Sequence, residues 1–233
     1  GWRPRCVYQE LSDGVRRRTI NAHMTPKVSI IIPVYNTATL LPRCLESVVG
    51  QTLREIEILC VNDGSTDNSL EVLNLWAEKD SRIKVLTQAN GRQGKARNAG
   101  MAIAKGEFVG MIDSDDYIPA DYFEGLYTAA TTTDADIAVC GIIKEKPIGS
   151  RIVASFDRQE VVEQTDAKFR ICNCPPDFHP VNKLYRREMI EQLGMRFEEG
   201  VAFEDVMWVT RALAESGRMV TVPNIHYRYV LNP

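Results

Sequence analysis

From Val28 onward the sequence predicts an α/β domain built on a mostly parallel sheet with helices on both faces. Three observations carry that expectation. Short apolar runs of strand length alternate with segments of helical period. The runs are apolar at consecutive positions, as in strands buried on both faces. A polar cluster follows each of the first four runs, at the sheet edge where such folds bind ligands.

The elements follow in order. VSIIIPVYN reads as a buried strand ending at Pro33. TLLPRCLESVVGQ reads as a helix with Leu41, Leu45, Val48 and Val49 on one face. IEILCVND is a second strand. STDNSLEVLNLWAEKD opens with capping residues and sets Leu70, Leu73, Trp76 and Ala77 at helical spacing. IKVLTQ is a third strand, KARNAGMAIAKG a helix stopped by Gly106, and FVGMID a fourth strand. A helix over 120–130 and a strand over 136–141 come next. The rhythm breaks after Gly141. Residues 142–181, with Pro147, Pro175, Pro176 and Pro180, predict an irregular, partly mobile segment over the site. NKLYRREMIEQLG then reads as a helix closed by Gly194. FEDVMWVTRALAESG reads as a helix with Val206, Val209 and Leu213 inward. MVTVPNIHYRYV reads as two short strands turning at Pro223-Asn224.

Bulk properties narrow the function. The 233 residues suit one such domain with a small appendage, and 44 % hydrophobic content is ample for its core. A net charge of −3 argues against a nucleic-acid binder, so a nucleotide partner should be a small one. No apolar run reaches the roughly 20 residues of a membrane span, and no signal peptide is visible. Membrane contact is expected to be peripheral at most, at the inner face. Of six cysteines, Cys60 and Cys140 lie in apolar runs, and Cys172-Asn173-Cys174 is too tight for a redox or zinc half-site. A reducing, cytoplasmic setting fits that usage. Residues 1–26, with Arg3, Arg5 and Arg16-Arg17-Arg18, read as a basic linker or tail that could also touch an anionic membrane. The chain opens on Gly1 and is expected to be a fragment or processed form.

The chemistry concentrates behind the fourth strand. Asp113, Asp115, Asp116 and Asp121 crowd one stretch, and like charges so close destabilise unless neutralised. Two aspartates at i and i+2 beyond a strand end can share a hard divalent cation, Mn²⁺ or Mg²⁺, which commonly also binds substrate phosphates. Asp116 and Asp121 are open to a simpler reading as turn residues. Asp63 in VNDGSTD can accept from a base or ribose edge. Asn90, Arg97 and the helix start in NGRQGKARNAG suit phosphate or carboxylate neighbours. The loop is no Walker motif, since Ala96 follows Lys95. No G-x-G-x-x-G follows the first strand, which disfavours a dehydrogenase.

Taken in order, VSIIIPVYN, VNDGSTD, NGRQGKARNAG, DSDD, NKLYRRE and FEDV resemble the bacterial family-2 glycosyltransferases of GT-A fold, over about residues 27–230. The resemblance implies a Rossmann-like nucleotide-sugar-binding half (27–141) and a C-terminal acceptor-side half of helices and short strands (142–233). It implies inverting transfer of a sugar from a nucleoside diphosphate, by default UDP, to a hydroxyl of a glycan, lipid-linked or other acceptor. By position, Pro33, Tyr35, Asn36, Asp63, Asn90, Arg97, Asp113 and Ser114 fall on the donor site. Asp115, with Asp113, falls on the metal, and Asp205 on the catalytic base, with Glu204 as its rival. His179, Asn182 and Lys183 could line the acceptor side, with Asn182 alternatively capping a helix. His226 reads as a strand residue rather than a metal ligand, and Trp76 and Trp208 as core. A sugar-phosphate nucleotidyltransferase and a non-catalytic nucleotide- or carbohydrate-binding module are the alternatives.

Overall fold

A computed structural model describes residues 25–173 and 178–231. The stretch 1–24 and Cys174 lie outside the described residues. The strands are β1 (Val28–Val34), β2 (Ile56–Asn62), β3 (Ile83–Thr87), β4 (Phe108–Met111), β5 (Ile137–Glu145), β6 (Ser150–Ala154), β7 (Val161–Val162), β8 (Lys183–Arg186) and β9 (Met219–Val230). The helices are α1 (Leu41–Val49), α2 (Ser69–Lys79), α3 (Arg92–Ile103), α4 (Tyr122–Thr133), α5 (Thr165–Ile171), α6 (Arg187–Gln192) and α7 (Glu204–Glu215).

All nine strands join one sheet in the order β3-β2-β1-β4-β8-β5-β9-β7, with β6 on β5. Strands β1 to β4 pair in parallel, as do β5 and β9, while β6, β7 and β8 run against their neighbours. Every residue of β1 and β2 is buried, because helices cover both faces. The register shows how. Ile30 pairs with Gly110 and so shares its face, where the Phe123 ring of α4 leaves no room for a Cβ on Gly110. Ile31 points the other way, against Gly100 of α3. Each such buried aliphatic side chain stabilises the fold by about 1.5–3 kcal/mol.

Two expectations are corrected, and a third in part. NKLYRREMIEQLG is a strand followed at once by a helix: Lys183–Arg186 form β8, and α6 begins at Arg187. With Lys183 and Tyr185 buried between two antiparallel neighbours, those residues satisfy their backbone in the sheet. Asn182 therefore caps no helix; it binds the Cys140 carbonyl and the Lys183 ammonium. MVTVPNIHYRYV is one strand, not two. Pro223-Asn224 form a bulge, with Asn224 at φ 62°, where the pairing with β5 skips from Val222 to His226. Half of the described part of 142–181 forms regular elements, the end of β5, β6, β7 and α5, and the rest is irregular as expected. Trp76 and Trp208 pack with the core as expected, Trp208 stacked on Phe197 at 4.3 Å.

Candidate active site

The parallel strands β1, β2 and β4 end together, and their exit loops surround a cavity of about 510 Å³. Pro33, Tyr35, Asp63, Asn90, Ser114 and Asp115 line it, all residues marked in the sequence. Val34, inside the strand end 33–36 that the family resemblance puts at the nucleotide, lines it too, and Thr37, Arg92, Gln93 and Ala96 line it without having been marked. The signal for Arg92 and Gln93 was present in the basic loop NGRQGKARN, since a helix that starts at a sheet edge turns its first residues toward that edge. A second cavity of about 490 Å³ opens at the opposite edge, among Asp134, Asp136, Arg186 and Arg218. Those charges pair with one another, and none of the marked residues lies there.

The loops are braced from within. Asn36, in the left-handed region at φ 52°, turns its side chain away from the cavity lining. Its Oδ1 accepts from the Thr66 and Asp67 N–H groups, tying the β1 exit to the β2 exit. Asp63 is 2 % exposed and accepts from Gln88 Nε2 at 2.7 Å and the Gly91 N–H at 3.0 Å. It thereby sets the turn that leads into α3. Thr37 Oγ1 donates to Ser114 Oγ at 3.0 Å, and Arg43 donates to the Asp115 carbonyl at 3.2 Å.

The four acids behind β4 divide by role. Asp113 pairs with Arg97, Nη2 to Oδ1 at 2.9 Å. Asp115 stands on the cavity wall. Asp116 is no plain turn residue. It is buried, and accepts from the Tyr227 hydroxyl at 2.8 Å and the Val230 N–H at 2.7 Å. The same tyrosine oxygen accepts from the Asp113 N–H at 3.1 Å, so β9 is latched to the acidic loop. Burial, then the charge of Asp113, pushes the Asp116 carboxyl up to about 8 against those two bonds. Asp121 directly precedes α4 and makes no side-chain cap there.

Asp205 lies in the first turn of α7, half-buried, with no hydrogen bond or ion pair among the described residues. The hydroxyl of Tyr229 in β9 is pushed up first by burial, then by the carboxylates of Asp113, Asp116, Asp115 and Asp205. Arg97 draws the acidic loop and the α7 start together, pairing with Asp113 and with Glu204. His179 stands against the Tyr229 ring at 5.5 Å and the Lys144 ammonium over it at 5.3 Å. Glu204, the rival to Asp205, is taken by Arg97 at 2.8 Å. Arg97 itself is buried among carboxylates and does not line the cavity. Lys183 is likewise buried, donating to the His179 carbonyl at 2.7 Å and to Asn182 at 2.9 Å. His226 sits beside Gly141 and bonds Ser155 at 3.3 Å.

Among the described residues no three His, Cys, Asp or Glu side chains gather into a cage for a metal ion. The donor set nonetheless fits a cation held jointly with a ligand. Mg²⁺ and Mn²⁺ need only one or two protein carboxylates when phosphates complete the shell. Asp115 on the wall and Asp113, two residues earlier and paired with Arg97, are the carboxylates that would hold it. Among the described residues no helix is long and apolar enough to cross a membrane.

Comparison with known proteins agrees with this geometry. Glycosyltransferase EpsJ of Bacillus subtilis, described as uncharacterized, is 34 % identical over 224 residues, covering 90 % of this chain and 62 % of its own. Glycosyltransferase GlyG of Streptococcus pneumoniae is 29 % identical over 217 residues, covering 88 % of this chain and 71 % of its own. The chain thus spans about three fifths to seven tenths of these relatives. In crystal structures, residues 1–349 of S. aureus TarS in complex with UDP-GlcNAc superpose with a TM-score of 0.79 at 25 % identity, over 89 % of this chain and 59 % of that one. That likeness makes the α/β sheet a GT-A fold, as the motifs implied. The family model of glycosyl transferase family 2 matches residues 29–194, from β1 to the end of the α6 turn, and takes in every residue lining the cavity at the ends of β1, β2 and β4. By this match and by its relatives, the chain belongs to glycosyl transferase family 2.

Proposed function

We propose that this chain carries the donor site and the base of an inverting glycosyltransferase, moving a sugar from a nucleoside diphosphate, by default UDP, to an acceptor hydroxyl. The cavity at the ends of β1, β2 and β4 is the observation that carries the reading. It has the size of a small-molecule site, an aromatic ring in Tyr35, polar groups in Asp63 and Asn90, and one acidic wall. The S. aureus TarS complexes with UDP and UDP-GlcNAc support a uridine donor. A Bacillus spizizenii relative, a poly(ribitol-phosphate) beta-glucosyltransferase, supports a glycan-type acceptor.

Tyr35, half exposed at the β1 exit, offers a face for the base, and Asp63 and Asn90 offer polar edges beside it. Arg92 and Gln93, at the start of α3, face the phosphates. Asp115 and Asp113 would hold Mn²⁺ or Mg²⁺, which when bound stabilises the charge of a departing diphosphate. Asp205 takes the acceptor proton as the new bond forms. A hydroxyl is a poor nucleophile at neutral pH, so this carboxylate must stand within hydrogen-bond reach of it. Glu204 cannot readily serve, since Arg97 already claims its carboxylate.

The test is UDP binding by calorimetry with and without Mn²⁺, followed by a screen of UDP-sugars for turnover. Tighter binding with Mn²⁺ is expected, and Asp115→Asn should remove that gain while the melting temperature holds. Mn²⁺-dependent affinity that survives Asp115→Asn would overturn the metal assignment. A product that keeps the donor's anomeric configuration would overturn inversion.

A further inference from the structure

Arg97 stands behind the cavity yet joins the two acidic elements that face each other there. Its side chain is 3 % exposed. Nη2 donates to Asp113 Oδ1 at 2.9 Å and to Gln93 Oε1 at 3.1 Å, and Nη1 donates to Glu204 Oε1 at 2.8 Å. The guanidinium lies over the Phe197 ring at 5.3 Å. Asp113 opens the loop that carries Asp115, and Glu204 opens the helix turn that carries Asp205. A single planar cation therefore spans the loop of the donor site and the helix of the base.

The rest of α3 serves the same docking. A Cβ on Gly94 would meet the Glu198 carbonyl oxygen at 2.6 Å and Glu204 Cγ at 3.2 Å, so only glycine lets the two segments approach. Asn98 holds Phe197 by both backbone groups, donating to its carbonyl at 3.0 Å and accepting from its N–H at 2.9 Å. Phe203, the residue before α7, is held in the left-handed region at φ 63°, a conformation costly for a bulky side chain. The entry angle of α7 is thus set from α3, whose other side, Arg92, Gln93 and Ala96, lines the cavity.

We propose that Arg97 is a positioning residue for transfer: through Glu204 it fixes the first turn of α7, and so Asp205, relative to Asp113 and the donor cavity. This rests on the reading of Asp205 as base. Arg97 touches neither donor nor acceptor and acts by placement. Lysine cannot replace it, because a point charge on a flexible stem does not bridge two carboxylates in one plane.

The test compares Arg97→Lys and Glu204→Gln, each alone and combined with Asp205→Asn, by steady-state transfer and UDP affinity. Misplacing a reacting group by about 1 Å costs on the order of 10²-fold, and kcat should fall by about that much in each single variant. UDP affinity of Glu204→Gln should be unchanged, because Glu204 touches nothing in the cavity. In the Asp205→Asn background neither substitution should lower transfer further, since residues that act as one unit are non-additive. Losses that multiply in the double variants, or full transfer by Glu204→Gln, would overturn the proposal while leaving the base assignment intact. Full transfer by Asp205→Asn would instead sink the base assignment. Should Arg97→Lys fold poorly, Glu204→Gln carries the same test, since it breaks the pair with little change of volume.

Discussion

Carboxylates sit at both edges of the parallel strands, and the chain treats them in opposite ways. Glu57, near the start of β2, is 4 % exposed and fully engaged. It accepts from Ser29 Oγ at 2.6 Å, the Lys105 N–H at 2.6 Å and Lys84 Nζ at 2.7 Å. Asp205, across the molecule beside the exits of those strands, has no such bond among the described residues. An acid whose lone pairs are filled by its own chain has nothing left for a ligand and serves the architecture. A half-buried acid that its own chain leaves open keeps its oxygens available to water or a ligand. Asp116, filled by Tyr227 and Val230, belongs with Glu57 despite its place in the acidic run.

Two substitutions and one pH series can break or sharpen this contrast. The largest effect is expected at the unfilled acid. Asp205→Asn should lower transfer by about 10²-fold or more, the usual scale for a positioned base, while leaving UDP affinity and melting temperature alone. Loss of stability comparable to the loss of activity would erase the distinction. The filled acid should behave in reverse. Glu57→Ala leaves the buried Ser29 hydroxyl without its acceptor and the Lys105 N–H with only its longer bond to Ser29 Oγ, at about 2 kcal/mol for a buried group left unpaired. At roughly 2–4 °C per kcal/mol for this size, the melting temperature should drop by about 4–8 °C, with transfer per folded molecule unchanged at 25 °C. The smallest effect concerns pH. Burial pushes the Glu57 carboxyl up, but its bonds to Lys84, Ser29 and Lys105 win and hold it below its ordinary value of 4.5. A lowered acid stabilises the fold above that value and loses the contribution as pH falls through its folded one. The gap in denaturant midpoint between wild type and Glu57→Ala should therefore narrow below pH 4.5; a gap independent of pH would deny the carboxylate its charge-assisted role.

The half of the molecule built from local rules was legible in the sequence. VSIIIPVYN and IEILCVND are buried on both faces, so they read as unbroken apolar runs, and their exits carried Tyr35, Asp63 and Asp115 in plain view. Where neighbours distant in sequence decide, the reading failed. Lys183-Leu184-Tyr185-Arg186 runs straight into the helix formers Arg187-Glu188-Met189, with no turn residue between. Only the gap between β4 and β5 makes it a strand. Pro223-Asn224 signals a break, and the sheet turned that break into a bulge. The filling of Glu204 by Arg97 links positions 107 apart and leaves no local pattern. Asp205 could be named only through the family resemblance, because nothing in FEDV distinguishes the engaged acid from the free one.

The placement of β8 also governs the order in which this chain can become a protein. β4 and β5 are not neighbours; β8 lies between them and pairs with both. Until residues 183–186 arrive, both strands present open, largely apolar edges. Open edges of that kind recruit other chains. The N-terminal half therefore has every loop of the cavity early in synthesis but no closed sheet to mount them on. Its final register waits on a four-residue strand supplied from the C-terminal half, a non-local step of the slow kind.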